Sequence, residues 1–365
     1  MKKIILCANS SWYLFNFRKS SIKALINKGY EVYSVAPRDH ATEKLKEISS
    51  KHISFQFNKS SINPLKEFYY ITALFRIFKD INPDAVFNFT IKNNLYGSIV
   101  GFFLRLKVIN NITGLGSMML RPSLIKLVIV ILYKIIKKIP HHTFCQNLDD
   151  LNYLVKKRLV IKSKVSLIPG SGLDTNFFSP NINNIDDSSF TFLFVGRIIK
   201  DKGFFELIEA FKKISVDCPN IKLMILGEID SKNPSRVNAS YIKELSLHPN
   251  INIYGHENDV RPFLSKASCF VLPSYREGLS RSILEAMSME LPIITTDVPG
   301  CRELVQDKKS GIICKPRSSE SLKRAMLKMI NLDDDARMRM GKVGRKIVQS
   351  GYDEKFVIDA MLKVI

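Results

Sequence analysis

Several features that would place this 365-residue chain quickly are missing from it. No apolar run reaches the roughly 18 unbroken residues of a membrane-spanning helix. The nearest, LIKLVIVILYKIIKKI from Leu124 to Ile139, is interrupted by Lys126, Lys134, Lys137 and Lys138. The six cysteines (Cys7, Cys145, Cys218, Cys269, Cys301, Cys314) form no CxxC pair, and no histidine joins them at zinc spacing. Most lie in apolar runs such as KIILCA and ASCFVL, which predicts buried, reduced thiols in a reducing compartment. No DxD-type metal motif is present: Asp149-Asp150 and Asp333-Asp334-Asp335 lack its spacing, so no metal is expected. The first apolar run is followed by Ala8-Asn9-Ser10-Ser11 in place of GxGxxG, which argues against a dinucleotide cofactor. RNP, KH, zinc-finger and helix-turn-helix signatures are also absent, so no nucleic-acid partner is expected. There is no solenoid repeat and no low-complexity tract. MKKIILCANSS has too short an apolar run for a signal peptide and reads as a first strand.

Acidic residues are scarce. Asp plus Glu number 34 against 55 Lys plus Arg, a formal net charge of +21. Such a surface attracts anionic lipid, phosphorylated substrates or nucleic acid, and charge alone does not choose among them. The stretch from Leu124 to Lys138 reads either as a helix lying on an anionic membrane or as a core helix with snorkelling lysines.

What is present is a repeated strand–loop–helix pattern. Strands are predicted at 3–8, 31–36, 53–57, 85–90, 107–113, 143–147 and 164–168, with helices at 18–28, 43–49 and 65–79 between them. A Gly/Pro/Asn/Ser-rich stretch, PGSGLDTNFFSPNINNIDD, breaks the pattern. A second series follows, with strands at 190–195, 222–226, 251–254, 269–272, 293–295 and 311–314. Its helices are predicted at 204–214, 260–266, 282–289, 319–330 and 335–350, before a last helix at 354–364. This is an α/β class of two Rossmann-like, doubly wound domains. The predicted division is an N-terminal domain over 1–170, a linker over 171–188, a C-terminal domain over 189–350, and a helical segment over 351–365 packing back on the N-terminal domain. Two such domains in tandem imply a cleft, with ligands outside the carboxyl ends of the strands.

Two loops in the second half carry chemistry. Gly196-Arg197-Ile198-Ile199-Lys200-Asp201-Lys202-Gly203 follows an apolar strand and precedes a helix. A guanidinium, an ammonium and a helix start in one loop suit a diphosphate; a basic surface turn is the plain alternative. PSYREGLSRSILEA, Pro273 to Ala286, also leaves an apolar strand. Glu277 lies in its loop, Gly278 permits close backbone approach, and the amides around Leu279, Ser280 and Ser282 open a helix toward the ligand edge. Glu285, one turn in, suits two adjacent ribose hydroxyls. The spacing Ser282-x-x-Glu285 reads equally as a capping box, in which Glu285 only reaches back to the helix start.

These motifs, with LPIITTDVPGCRELV from Leu291 to Val305, resemble the retaining glycosyltransferases of family four, which have the two-domain GT-B fold. The phrases NFRKSSIKAL, TGLGSM and PSYREGL resemble the bacterial enzymes that build lipid-linked oligosaccharides and surface polysaccharides. The resemblance implies a UDP-sugar donor, a lipid-linked or polysaccharide acceptor, retention of anomeric configuration and a peripheral position on the inner face of the cytoplasmic membrane. It implies that Gly196, Arg197 and Lys202 bind the donor diphosphate, and that Glu285 binds the ribose. Glu277 contacts the transferred sugar beside Ser274 and the backbone of Gly278, Leu279 and Ser280, and the segment with His256 and Asn258 passes the base. Catalytic weight falls on Glu277, Arg197 and Lys202. Family members often carry a His after a strand of the first domain. Here the matching stretch, Asn111-Ile112-Thr113-Gly114-Leu115-Gly116, has none, so Gly114 and Gly116 are candidates only for close backbone approach. Arg18, read as opening the first helix after a loop over 9–16, is a candidate for an acceptor phosphate. A GT-B UDP-sugar 2-epimerase and a non-enzymatic binder of anionic glycolipid or nucleic acid are the alternative functions.

Overall fold

A computed structural model of the chain describes residues 1–55, 63–116, 124–180, 189–230 and 233–365. It divides into two compact units, Met1–Gly172 with Glu354–Ile365, and Leu173–Asp353.

The first unit is built on an all-parallel seven-stranded sheet. Its strands are β1 (Lys3–Cys7), β2 (Glu31–Val35), β3 (Lys51–Ile53), β4 (Ala85–Phe89), β5 (Lys107–Ile112), β6 (His142–Cys145) and β7 (Val165–Leu167), in spatial order β3-β2-β1-β4-β5-β6-β7. Strand β1 shows why short apolar runs become central strands. Ile4 and Leu6 face one apolar core, Ile5 and Cys7 the other, and all four are fully buried. The helices are α1 (Ser11–Asn27), α2 (Thr42–Ile48), α3 (Pro64–Ile81), α4 (Ile91–Phe103), α5 (Leu124–Ile136) and α6 (Leu148–Lys156). Helix α1 starts at Ser10, whose hydroxyl accepts from the Tyr13 amide, and stops at Gly29, which has φ 85°. The predicted loop over 9–16 is therefore helical from Ser11, and Arg18 lies inside α1, not at its start. The third strand ends at Ile53, short of the predicted 53–57, whose last two positions lie outside the described residues. Residues 117 and 118 of the TGLGSM phrase lie outside them as well.

The second unit repeats the plan with β8 (Phe190–Val195), β9 (Ile221–Leu226), β10 (Ile251–Tyr254), β11 (Cys269–Leu272), β12 (Ile293–Thr296) and β13 (Gly311–Cys314). They form a parallel sheet in the order β10-β9-β8-β11-β12-β13. Its helices are α7 (Phe204–Asp217), α8 (Ala239–Leu245), α9 (Arg261–Leu264), α10 (Arg281–Ser288), α11 (Ser319–Ile330) and α12 (Asp334–Gly351). Leu173 and Phe178, inside the predicted linker, are buried in this unit's core, while 181–188 lies outside the described residues. The last helix, α13 (Glu354–Lys363), packs against α1 and puts Val357 and Met361 into the first unit's core.

In both sheets the chain winds outward from one strand and then restarts on its other side, between β1 and β4 and between β8 and β11. The two loops that leave adjacent strands at such a point diverge, and the gap between them is where ligands bind in doubly wound sheets.

Candidate active site

Strands β8 and β11 are hydrogen-bonded neighbours, so the two sequence motifs leave the sheet side by side. Three backbone approaches hold their loops in register. A Cβ at Gly203 (φ 70°) would lie 2.0 Å from the Pro273 carbonyl oxygen. A Cβ at Gly227 (φ 149°) would lie 1.9 Å from the Gly196 carbonyl oxygen, and one at Gly300 (φ 79°) would lie 2.7 Å from the Glu277 backbone. No side chain fits at these contacts, so glycine there is a requirement of backbone packing.

The result is a polar cluster. Lys202 Nζ donates to Glu277 Oε1 at 2.5 Å, and Ser274 Oγ donates to the same oxygen at 2.6 Å. The Lys202 and Glu277 side chains are only 18% and 14% exposed, so their attraction is little screened. The Lys202 chain also runs 4.0 Å from where a Gly196 Cβ would stand. The Glu277 amide donates to Pro299 O at 3.0 Å and the Ser280 amide to Gly300 O at 2.9 Å, so the turn after β12 clamps the loop. Thr296 Oγ1 holds the Ser274 carbonyl at 2.5 Å. Tyr275 ties the loop to the other motif, its amide donating to Asp201 O and its hydroxyl to Glu206. Burial, then that bond to Glu206, pushes the Tyr275 hydroxyl well above the usual phenol range.

Helix α10 opens at Ser280, whose Oγ accepts from the Ile283 amide at 3.4 Å. The predicted box between Ser282 and Glu285 is thus not the cap. Glu285 instead accepts from Arg281 Nε at 2.9 Å. Burial raises the Glu285 carboxyl above its ordinary range, and Arg281 pulls part of that shift back. A cation on the first turn of a helix opposes the macrodipole, so local helix stability does not account for Arg281.

Arg197 points elsewhere. Its side chain is 60% exposed and pairs with Asp230, in the loop after β9, at 2.9 Å. His256 and Asn258 are exposed in the loop after β10, and Gly278 and Leu279 are half-buried between Glu277 and the helix start. The structure therefore joins Lys202, Ser274 and Glu277 by hydrogen bonds, ties Ser280 to the same turn after β12 that holds Glu277, and runs the Lys202 chain past Gly196, with Glu285 one turn deeper. It places Arg197, His256 and Asn258 on the rim loops of the same sheet edge. Asp230, Arg281, Thr296 and Gly300 are the site-building residues that sequence reasoning did not single out; Arg281 lies in the quoted run over 273–286 and the last two in the run over 291–305, while Asp230 lies in neither. Among the described residues no group of three His, Cys, Asp or Glu side chains is placed to hold a metal ion.

In the first unit, Arg18 is 1% exposed, where sequence reading allowed a surface charge. Its guanidinium lies 4.5 Å over the Phe89 ring at the end of β4, and Nη2 reaches the Tyr13 hydroxyl at 3.4 Å. Among the described residues Nε and Nη1 have no hydrogen-bond partner. Gly114 and Gly116 have φ 113° and 48°, and the Leu115 amide between them donates to buried Asp150 at 2.9 Å.

Two family models match the chain: the one described as glycosyl transferases group 1 over residues 176–347, and the one described as glycosyl transferase 4-like over residues 3–143. The chain is 30% identical over 301 residues to an uncharacterized glycosyltransferase of Methanocaldococcus jannaschii, covering 72% of each chain. It is 26% identical, over 96% of its length and 95% of the relative's, to the N,N'-diacetylbacillosaminyl-diphospho-undecaprenol alpha-1,3-N-acetylgalactosaminyltransferase of Campylobacter jejuni. Identity is also 26% to an Escherichia coli UDP-Gal:alpha-D-GlcNAc-diphosphoundecaprenol alpha-1,3-galactosyltransferase, over 80% of this chain and 78% of that one. Among solved structures, Anabaena HepE in complex with UDP-glucose superposes with a TM-score of 0.82 at 17% identity, covering 100% of both chains. At that identity the likeness shows the fold, two doubly wound domains of the GT-B class.

Proposed function

The chain belongs to the group 1 glycosyltransferases, and from that premise we propose that it moves a hexose or N-acetylhexosamine from a UDP-sugar to a lipid-linked acceptor, with retention, in bacterial surface glycan synthesis. The observation that carries the reading is the convergence of Lys202, Ser274 and Glu277 at the point where β8 and β11 diverge. The UDP-sugar and the undecaprenyl-diphosphate acceptor are suggested by the relatives' names.

The chemistry follows from charge. As the bond from the anomeric carbon to the diphosphate breaks, negative charge grows on the leaving phosphate and positive charge on the sugar. Lys202, the amides opening α10 and Arg197 stabilise the first, which is the main catalytic task. Glu277 accepts hydroxyls of the transferred sugar, held by Ser274 and Lys202. Glu285 accepts the two ribose hydroxyls, and the backbone near His256 and Asn258 borders the base. The acceptor hydroxyl attacks from the face the diphosphate leaves, and its proton passes to the leaving phosphate oxygen. No metal is assigned a part. Arg18 is the acceptor-side candidate: among the described residues it has no carboxylate partner, and a buried guanidinium with unmet donors suits a phosphate. Gly114 and Gly116 give the backbone close approach to the donor sugar or diphosphate. The enzyme works at the inner face of the cytoplasmic membrane, where a lipid-linked acceptor is held.

A thermal-shift screen against UDP-, GDP- and ADP-sugars tests the donor, with UDP-sugars giving the largest stabilisation. NMR of a single-turnover reaction then tests the rest. Transfer with an inverted anomeric centre, or release of free sugar in place of transfer, overturns the proposal.

A further inference from the structure

Where β1 and β4 diverge, the first unit holds the same kind of ion pair that the second holds where β8 and β11 diverge. Lys92 Nζ, on the first turn of α4, donates to Glu67 Oε1, on the first turn of α3, at 2.8 Å. The two side chains are 21% and 15% exposed. The other Glu67 oxygen accepts from the Tyr96 hydroxyl at 2.8 Å, so the carboxylate is held from two sides. Helix α4 leaves the end of β4 at Thr90, whose φ of 75° and ψ of 159° lie in a region nearly reserved for glycine. Its first turn has no acidic residue, and among the described residues the Thr90 side chain makes no cap. A lysine on that turn opposes the helix dipole, as Arg281 does in α10, so helix stability does not account for Lys92.

A second cation points to the same place. Arg18, from α1, is 1% exposed and lies 4.5 Å over the ring of Phe89, the residue just before Thr90. Among the described residues its Nε and Nη1 have no hydrogen-bond partner. A buried guanidinium is costly unless an anion offsets it. Because buried charge is little screened, it attracts an anion at the α4 start whether or not it touches it. Arg18, Lys92 and the amides opening α4 thus meet at the end of β4 against the single carboxylate of Glu67. A ligand with negative charge on two linked groups engages both cations better than one phosphate does.

We infer that the start of α4, with Lys92 in contact and Arg18 behind it, is an anion site for the diphosphate of a lipid-linked acceptor. The inference rests on the proposed transferase reading for the identity of its ligand, but the site is measurable alone. The donor carries a diphosphate too, so saturating UDP is used to occupy the other unit first. Trp12, the one tryptophan of the chain, is a local reporter. Ring contacts run from Trp12 to Phe17 at 5.3 Å, from Phe17 to Tyr13 at 5.2 Å, and from Tyr13 to Phe89 at 5.8 Å, where Arg18 stacks.

Calorimetric titration of inorganic pyrophosphate into the full chain, saturated with UDP, should show saturable binding, tighter than that of inorganic phosphate and accompanied by a change in Trp12 emission. Lys92→Gln should raise the pyrophosphate Kd about tenfold, the scale of a lost charge-assisted hydrogen bond. Glu67→Gln should lower it a few-fold, because no carboxylate then competes for Lys92. The neutral double variant Lys92→Gln/Glu67→Gln should bind as weakly as Lys92→Gln, which separates lost charge from lost folding. With a sugar diphosphate on a short prenyl chain as acceptor, Lys92→Gln should raise the acceptor KM by a similar factor and leave the donor KM unchanged. No pyrophosphate binding once UDP saturates the chain, or one affinity shared by the wild type and both single variants, overturns the inference. Thermal shift with UDP on the same samples separates the two readings: its absence sinks the donor proposal, while pyrophosphate binding that depends on Lys92 still stands.

Discussion

Arg281 donates to Glu285 across 2.9 Å inside helix α10, against both the dipole of its helix and the burial of its partner. In isolated helices an acid preceding a base by four residues is the favoured order, and here the order is reversed. The pair makes sense as a device that keeps a buried carboxylate ionised for a ligand.

That reading gives a pH prediction with a definite sign. Burial raises the folded-state pKa of Glu285 above the ordinary 4.5, so between those values the folded protein binds more protons than the unfolded one. The associated stability is fully present below the ordinary value and is lost as pH rises through the raised one. Glu285→Gln cannot ionise. It should melt at a higher temperature than the wild type at pH 7, with the gap closing toward pH 4.5. Its affinity for UDP should fall about tenfold or more, the scale of a lost charge-assisted hydrogen bond. Melting curves across pH and calorimetric titration with UDP check both halves, and a destabilised Gln variant at pH 7 refutes the burial argument.

Lys202 and Glu277 separate stability from catalysis. Lys202→Ala leaves a carboxylate that is 14% exposed without its cation and should destabilise by about 1–3 kcal/mol. It should also lower kcat/KM by about 10²–10³, as loss of a preorganised charge on the leaving group does. Adding Glu277→Gln to Lys202→Ala should restore most of the stability, because the unpaired charge is gone, and none of the activity. Denaturant melts with steady-state kinetics on the three variants decide it. Recovered activity in the double variant would show that the pair is structural only.

The strand framework was legible because parallel central strands are buried on both faces and so appear as bare apolar runs; Phe190–Val195 and Cys269–Leu272 are examples. The loops after them were legible because Gly196, Lys202, Glu277 and Ser280 lie close to those runs. Helix starts rich in small polar residues were not. Ser10, Ser11 and Asn16 read as loop, yet one hydroxyl bond to the Tyr13 amide starts α1 there and carries Arg18 inside the fold. Sequence reading offered Ser282 as the cap of α10, and only the backbone at Ser280 shows that the helix opens there. Helix α6 was missed because Asn147 was read as the end of a strand, although it caps the helix and Asp149 and Asp150 form an acidic first turn. Contacts between loops, Arg197 with Asp230 and Gly300 with Glu277, depend on how distant turns stack, and no local spacing encodes them.

The Arg197–Asp230 pair is exposed enough that removing it should shift stability by no more than about 0.5 kcal/mol. If Arg197 binds the donor as proposed, its effect there is larger, because Asp230 would compete with a diphosphate for the same guanidinium. Asp230→Asn should lower the KM for the UDP-sugar a few-fold, whereas Arg197→Ala should raise it about tenfold, with both effects shrinking at high salt. Initial-rate kinetics over a salt series measure this. Identical KM values for wild type and Asp230→Asn would remove Arg197 from the donor site.

Gly300 tests whether the turn after β12 sets the catalytic loop. Alanine there meets two penalties, a left-handed φ of 79° and a Cβ 2.7 Å from the Glu277 backbone. The first alone costs about 1 kcal/mol. Gly29 isolates that cost, because its φ is 85° and a Cβ there has nothing within 4 Å. Gly29→Ala should therefore lower stability by about 1 kcal/mol and leave kcat unchanged. Gly300→Ala should lose more stability and about 100-fold in kcat, since Glu277 and Ser280 both hang from this turn by backbone bonds and shift with it. The comparison needs only melts and rates on two single variants. Equal kcat values would mean that the clamp on Glu277 is not what positions it.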